Sequence, residues 1–192
     1  MSERSIWTRR VVLMAIVGAL VAVPLTLLIR GGDDDEPEAP VTTPATESPA
    51  VGPAQRDRGI GVRYQVADGW REQKKASAIR LRSRGSDVQI VIASPAPANE
   101  SEGVLDQALA ALRDGYEDVD LNPGSGRTLG GMKAKGAVGA VRTRGGARLR
   151  VLVAVTEGER RAYLVEVFTA SDAPPDRIRE AQVTLNSLRF LS

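Results

Sequence analysis

The sequence has no cysteine and no histidine among its 192 residues. The lack of cysteine excludes disulfide bonds, a thiol nucleophile and a lipid anchor attached through a cysteine. The lack of histidine removes the side chain that most often serves in acid–base catalysis near neutral pH, and also the commonest metal ligand. Because Ser–His and Cys–His catalytic groups are therefore impossible, we expect a protein that is not an enzyme and that holds no cofactor and no metal.

Charged residues are absent from one long segment, the apolar run from Val11 to Ile29. At 1.5 Å per residue the run is about 28 Å long, which matches the hydrocarbon core of a bilayer. A cleaved signal peptide is the alternative, since Arg9-Arg10 before the run resembles a twin-arginine export signal. However, the run is longer than a typical signal core, and Arg30 stands where a small-residue cleavage site is needed. The run therefore predicts a transmembrane signal anchor over residues 11–30.

The charges on either side of this run predict its orientation. Residues 1–10 carry a basic excess, whereas acidic residues at positions 33–36 follow the run closely. Because basic residues favour the cytoplasmic side of a membrane, the N-terminus is predicted to be cytoplasmic. The C-terminal portion then lies outside the cell membrane, and the membrane is the partner of the N-terminal helix.

Residues 31–58 have a composition unlike that of the rest of the chain. They hold five of the eleven prolines, and seven acidic residues against two arginines, which gives this segment a net charge of −5. Such a segment has too few apolar side chains to form a core, and its like charges repel one another. The composition predicts a disordered acidic linker over 31–58 that holds an extracytoplasmic domain, residues 59–192, away from the membrane.

The predicted domain shows the patterns of both strands and helices. Apolar and polar residues alternate over 62–66 and 78–82, a turn at Gly85-Ser86 leads into 88–93, and apolar runs span 137–143, 149–156 and 162–169. Each of these segments predicts a strand. Helical spacing of apolar residues predicts one helix at 101–114 and another after Pro174-Pro175. Residues 118–131 contain Asn122-Pro123-Gly124 and predict a loop. We therefore expect an α+β domain in which helices pack on an antiparallel sheet.

Four arginines mark the first hairpin of the predicted central sheet. A three-residue loop, Gly145-Gly146-Ala147, would pair Arg142 with Arg150 and Arg144 with Arg148, so that all four guanidinium groups lie on one face. The same register puts a set of apolar residues on the opposite face, namely Val141, Leu149, Val151, Val153 and Val155. The hydrophobic pattern therefore selects a loop of three residues over one of two.

The arginine face has two interpretations. Such a row of charges usually forms a solvated or edge-protecting surface, and alternatively it binds an anionic partner. Like charges opposite each other on neighbouring strands oppose folding slightly. The turn after this strand is predicted to be Glu157-Gly158-Glu159, which puts Glu166 of the next strand on the arginine face. We expect the charge to be compensated either by this acidic neighbour or by a partner.

Three segments of the domain resemble a known family. Residues Val62 to Trp70 resemble the strand and turn that open Mog1/PsbP-like domains, Leu129 to Ala134 is similar to their loop before the meander, and Leu185 to Phe190 is similar to their last helix. The nearest branch is that of actinobacterial LpqN-type cell-envelope proteins, from which the sequence departs by Ala67 in place of a proline and by an apolar anchor in place of a lipidated cysteine. The resemblance implies an α/β/α sandwich that binds partners or ligands and shares no catalytic residues.

Two functions from different classes agree with these features. The first is a non-enzymatic domain that docks an envelope partner or an anionic surface through its exposed sheet and loops. The second is a carrier of a small hydrophobic ligand or lipid, which needs an apolar cavity of several hundred Å³ between sheet and helix. The residues expected to line that cavity are Leu105, Leu112, Val153 and Val165. We expect a monomeric domain and no nucleic acid partner.

The anchor leads to a direct prediction. We expect the run Val11 to Ile29 to remain in the mature protein, because Arg30 blocks signal cleavage. N-terminal sequencing of the exported protein tests this. A mature chain that begins within residues 31–58 would show that the run is a cleaved signal.

Overall fold

The computed structural model describes residues 49–191, apart from the side chains of residues 125–127. The predicted anchor, Val11 to Ile29, and most of the predicted linker lie outside the described residues. Among residues 49–191, none of the helices has the length and apolarity that a bilayer span requires.

Strands and two α-helices follow one another along the described chain. Their bounds are β1 (Gln55–Asp57), β2 (Val62–Tyr64), β3 (Arg71–Lys75), β4 (Ala78–Arg82), β5 (Val88–Pro97), α1 (Ser101–Gly115), β6 (Asp118–Leu129), β7 (Met132–Arg142), β8 (Arg148–Glu157), β9 (Arg161–Ala170), α2 (Pro175–Ser187) and β10 (Arg189–Phe190). Short 3₁₀ helices precede β5 and α1. The strands predicted from alternation and both predicted helices are present.

Seven strands form one antiparallel sheet in the order β3-β4-β5-β9-β8-β7-β6. Successive side chains of each strand point to opposite faces of the sheet. Helix α1 packs on one face, mainly over β8 and β9, and α2 packs on the other face over β5 and β2. The predicted α+β class with an antiparallel sheet between helices is therefore confirmed for this part of the chain.

Each face of the large sheet carries its own buried core. Under α1, the buried cluster combines Val104, Ala108 and Leu112 of the helix with strand residues that include Val91, Val153, Leu164 and Phe168. Under α2, it combines Ala181 and Leu188 with strand residues that include Ile79, Leu81, Ile90, Ile92, Val165 and Val167. Central strands whose side chains are buried on both faces read as nearly continuous apolar runs, and this explains why the sequence predicts them well.

A second, three-stranded sheet lies on the α2 side, with the order β1-β2-β10. Strand β1 pairs Gln55 with Tyr64 and Asp57 with Val62. It falls inside residues 31–58, so the predicted linker boundary is corrected: the ordered chain begins before residue 59. Main-chain hydrogen bonds to β2 hold β1 in place. Its sequence, Gln55-Arg56-Asp57, therefore needs no apolar alternation.

The predicted loop at residues 118–131 is wrong. Residues Asp118–Leu129 form β6, which pairs with β7 along most of its length. Proline interrupts a central strand because it cannot donate a main-chain hydrogen bond, but β6 is the edge of the sheet. Pro123 therefore lies opposite Ala137 without breaking the ladder, and its turn-like neighbours in the sequence were misleading.

The small sheet predicts where the domain can be truncated. We expect a chain that begins at residue 49 to unfold cooperatively, and a chain that begins at residue 59 to be less stable by about 2 kcal/mol, because it loses the hydrogen bonds of β1 to β2. Urea denaturation of both chains measures the difference. Equal midpoints would mean that β1 contributes nothing to the fold.

Candidate functional site

The arginine hairpin forms with a different register from the predicted one. The main-chain nitrogen of Thr143 donates to the carbonyl oxygen of Ala147 at 2.9 Å, so the three-residue loop is Arg144-Gly145-Gly146. Arg142 lies opposite Arg148. The last loop position needs a positive φ, which Gly146 supplies with φ 84° and which the alanine of the predicted loop would adopt only with strain. The predicted loop length is confirmed, and its position is wrong by one residue.

The corrected register changes which arginines share a face. Arg142, Arg148 and Arg150 lie together on the face that α2 covers elsewhere, whereas Arg144 lies in the loop. The predicted apolar face is confirmed, since Val141, Val151, Val153 and Val155 are buried under α1 with Leu149 packed against them. Moving the pairing by two residues leaves each side chain that remains in a strand on its predicted face, and it removes only Arg144 from the arginine face.

The four arginines differ in how far their charge is neutralised. Arg142 is 3.7 Å from Glu117 and 3.8 Å from Asp118, which lie at the adjoining start of β6. Arg144 points its guanidinium to the carbonyl oxygen of Asp114 at 3.5 Å. Arg148 and Arg150 are exposed and make no ion pair with any described residue.

Glu166 does not lie beside these arginines, as the sequence had predicted. The turn between β8 and β9 has two residues, Glu159 and Arg160, because the main-chain nitrogen of Gly158 donates to the carbonyl oxygen of Arg161. The predicted turn had three residues. A turn of two residues instead of three puts the side chains of the following strand on the opposite face of the sheet. Glu166 therefore lies opposite Val153, on the α1 face of the sheet.

In that position Glu166 is a fully buried carboxyl group. It has no exposed surface, and neither of its side-chain oxygens has a hydrogen-bond partner among the described residues. Burial raises its pKa to about 7, while the positive charge of Arg80 acts in the opposite direction. Burial, and then the charge of Glu166, raise the pKa of Tyr116 to about 12.

A ligand cavity between sheet and helix is not formed by the residues predicted to line it. Leu112 and Val153 are buried in one cluster under α1, with Leu105 packed against it. Val165 belongs to the cluster on the opposite face of the sheet. The four residues therefore cannot surround one ligand, which removes the observation that would have favoured a lipid carrier.

A second basic surface, which the sequence had not revealed, lies on β3 and β4. Arg71 and Lys75 of β3 and Arg80 and Arg82 of β4 share the α1 face, as the pairing of Arg71 with Arg82 and of Lys75 with Ala78 shows. Because α1 packs mainly on β8 and β9, these outer strands extend past the helix. We call these four side chains the basic face. None of them forms an ion pair with a described residue.

The basic face was missed because β3 was not recognised as a strand. Its sequence, Arg71-Glu72-Gln73-Lys74-Lys75, has no apolar alternation. The arginines of β4 were visible as alternating residues, but only the pairing of β3 with β4 brings them beside those of β3. Burial, and then the charge of Arg82, lower the pKa of Arg80 from its ordinary value, while Glu166 acts in the opposite direction.

Metal-binding geometry is not found among residues 49–191, where no three acidic side chains are grouped as ligands. Asp118 and Asp120 of β6 alternate along an edge strand and face the arginines of the hairpin.

No family model matches the sequence, and no curated protein matches it. Three similar solved structures are a protein from Bacteroides thetaiotaomicron (12% identity, TM-score 0.51), the cyanobacterial PsbP, CyanoP, from Synechocystis (11%, 0.49), and LpqN of Mycobacterium tuberculosis, which is involved in cell envelope biogenesis (16%, 0.46). They cover 73%, 76% and 73% of this chain.

The shares of the other chains differ: this chain spans about half, 49%, of the Bacteroides protein, 95% of CyanoP and 90% of LpqN. The first likeness shows a common fold and nothing about function. A PsbP and an LpqN, the two kinds of protein that the sequence resembles, are thus among the similar structures, but their TM-scores are below 0.5 and no function is inferred from them.

Glu166 generates a prediction about pH and stability. In the unfolded chain its carboxyl group ionises near its ordinary pKa of 4.5, whereas in the folded protein it keeps its proton up to about pH 7. The folded state therefore binds more protons between these pH values, and the free energy of unfolding falls as pH rises from about 4.5 to about 7, by about 3 kcal/mol in total.

Denaturation across this pH range tests the prediction. Glu166→Gln should remove most of the fall, because an amide does not ionise, and Glu159→Gln in the exposed β8–β9 turn is the matched control that should keep it. An equal pH dependence in both variants would mean that Glu166 is not the responsible group.

Proposed function

We propose that this protein is a non-enzymatic binding domain of the cell envelope, anchored by Val11 to Ile29 and held outside the membrane. Its partner is an anionic protein or surface of the envelope. The domain docks through the end of the β7–β8 hairpin.

The observation that supports this proposal is the exposure of Arg148 and Arg150 on one face of β8. Their guanidinium groups are two residues apart on the same face and lack an ion pair with any described residue. Arg142 lies opposite Arg148 and is partly neutralised by Glu117 and Asp118. This leaves a net positive surface beside an acidic rim, an arrangement that steers an anionic partner and sets its orientation.

Arg144 extends the same surface from the loop. Its side chain is exposed, and the loop places it at the tip of the hairpin, beyond the last pair of the ladder. Arginine presents several donors in a planar fork, which suits carboxylate and phosphate groups. We therefore expect Arg144 to contribute once a partner is bound.

The absence of enzymatic activity is supported by the composition rather than by the fold. With no histidine and no cysteine, an acid–base pair would have to consist of carboxylates, lysine or tyrosine. Among residues 49–191, the carboxyl group whose pKa is strongly raised is that of Glu166, which is closed off under α1 and has no exposed surface. A substrate cannot reach it without displacing the helix.

The docking proposal is tested by removing charge from the hairpin. In the full chain, Arg148→Gln with Arg150→Gln should lower capture of partners from isolated envelope at low salt by about tenfold, and this difference should shrink at high salt. Stability should change by less than about 1 kcal/mol, because both side chains are exposed.

The matched control removes the same charge from the small sheet. Arg56 and Arg63 lie opposite each other on β1 and β2 and are exposed. Arg56→Gln with Arg63→Gln should leave capture unchanged. If the hairpin variant keeps every partner of the wild type at low salt, the binding surface lies elsewhere.

A further inference from the structure

The basic face defined above is a concentration of positive charge that the hairpin proposal does not use. It lies on the α1 face of the sheet at the β3 edge, whereas Arg148 and Arg150 lie on the opposite face near the β6 edge. The two surfaces are therefore separate, and one partner group cannot contact both.

Edge protection alone does not explain this face. Charged residues on an edge strand discourage pairing with other chains, and Arg71 and Lys75 of β3 can serve that purpose. Arg80 and Arg82, however, lie on β4, which is paired on both sides.

Directly opposed like charges oppose folding, and Arg71 lies directly opposite Arg82. Arg82 donates from Nε to Gln89 at 2.8 Å, which is a neutral partner. Glu166 lies on the same face, but Val91 stands between it and Arg80, no ion pair joins the two, and burial favours the neutral form of its carboxyl group. The positive charge of this surface is therefore left for an acceptor from outside the described residues.

We propose that the occupant is the acidic run of this same chain, Asp33-Asp34-Asp35-Glu36, which docks on the basic face. The run carries four consecutive negative charges, and the face carries four positive side chains. The four negative charges of the run match the four positive charges of the face in number, and this is the first reason that favours the run over a separate molecule as the occupant.

The place where the described chain begins is the second reason. The carbonyl oxygen of Ala50 accepts from the main-chain nitrogen of Asp68, and Val51 pairs with Ala67. The turn that contains Asp68 leads directly into β3, whose first residue is Arg71. The segment before residue 49 therefore starts near the first residue of β3. It must pass around the β3 edge of the sheet to reach the basic face, because Val66 and Trp70 belong to the cluster on the α2 side.

Chain length is the third reason. Twelve residues, 37–48, separate Glu36 from Pro49. The distance from Glu36 to Pro49 can be at most about 45 Å, and its mean is roughly 20 Å for a coil. Strand β3 has five residues and is about 17 Å long. The acidic run can thus reach the whole face. Because it is tethered to the domain, its effective concentration at the face is in the millimolar range, which is high enough for a weak electrostatic contact to form.

Docking would set the distance between domain and membrane. Three residues lie between Ile29 and Asp33, so a docked run leaves about 10 to 14 Å of extended chain before the apolar segment. Undocked, the 18 residues 31–48, which precede the described chain, can reach at most about 56 Å at polyproline spacing. This consequence rests on the proposed anchor, whereas docking itself does not.

Disulfide crosslinking in the full chain tests the proposal, because the chain has no cysteine of its own. Gln73 and Lys74 are neighbours on β3 and are both exposed, but Gln73 lies on the basic face and Lys74 on the opposite one. Ala39→Cys is combined with either Gln73→Cys or Lys74→Cys in protein purified in a neutral detergent.

At about 0.1 M salt the yield of intramolecular disulfide with Gln73→Cys should exceed that with Lys74→Cys by about fivefold, and the two yields should become similar at about 1 M salt, where charges are screened beyond about 3 Å. Replacing the four acids by Asn and Gln should abolish the preference without touching the folded domain. Arg80→Gln with Arg82→Gln should also abolish the preference. A native melting transition will show that this variant is folded.

Equal yields at low salt would overturn the proposal, and so would a preference that survives neutralisation of the acidic run. A preference that survives Arg148→Gln with Arg150→Gln is expected, because the hairpin lies on the other face. A negative outcome here therefore leaves the proposed docking function unaffected.

Discussion

Burial of both faces of one antiparallel sheet is the constraint on which the rest of this structure depends. Strand β5 shows it most clearly, since Val88 to Ala93 are all buried, alternately under α2 and under α1. Central strands of this kind have no room for exposed charge. Charged side chains on the sheet are therefore displaced to its two sides, where neither helix covers it, and these are the places where both basic surfaces are found.

Glu166 is the exception to this arrangement. It lies in the central strand β9, between Val91 and Val153 on the neighbouring strands, and has no hydrogen-bond partner within the described chain. A buried carboxyl group without a partner favours its neutral form, since desolvation penalises the ion. The proton held by Glu166 also affects the basic face, because an ionised Glu166 would compete for Arg80.

The two basic surfaces suggest different kinds of use. The hairpin ends in exposed arginines beside an acidic rim, which suits a partner that must be oriented. The four positive side chains of the basic face make no ion pair with a described residue, and the described chain begins near the first residue of β3. The same sheet can thus bind a partner with one face while its own tether lies against the other.

Local sequence patterns determined the elements with apolar side chains: the central strands, the two helices and the apolar side of the β7–β8 hairpin. They failed for β1 and β3, where main-chain pairing rather than side-chain burial holds the strand, because hydrogen bonds to a neighbouring strand leave no apolar period in the sequence. Strand β6 was missed for another reason: Val119 and Leu121 pack against the core, but Asn122-Pro123-Gly124 reads as a turn, and only the sheet order shows that β6 is an edge that tolerates proline.

Tertiary structure alone decided which charges share a face. The side on which a residue lies depends on whether each turn has an odd or even number of residues, and a difference of one residue in the β8–β9 turn moved Glu166 from beside the arginines to beneath α1. The loop of the arginine hairpin kept its predicted length, so its residues stayed on the predicted face. By itself the sequence determined that the linker is acidic and that four arginines belong to one hairpin. Pairing of the strands decided where that charge is exposed, because the faces of a sheet are set by partners that are distant in sequence.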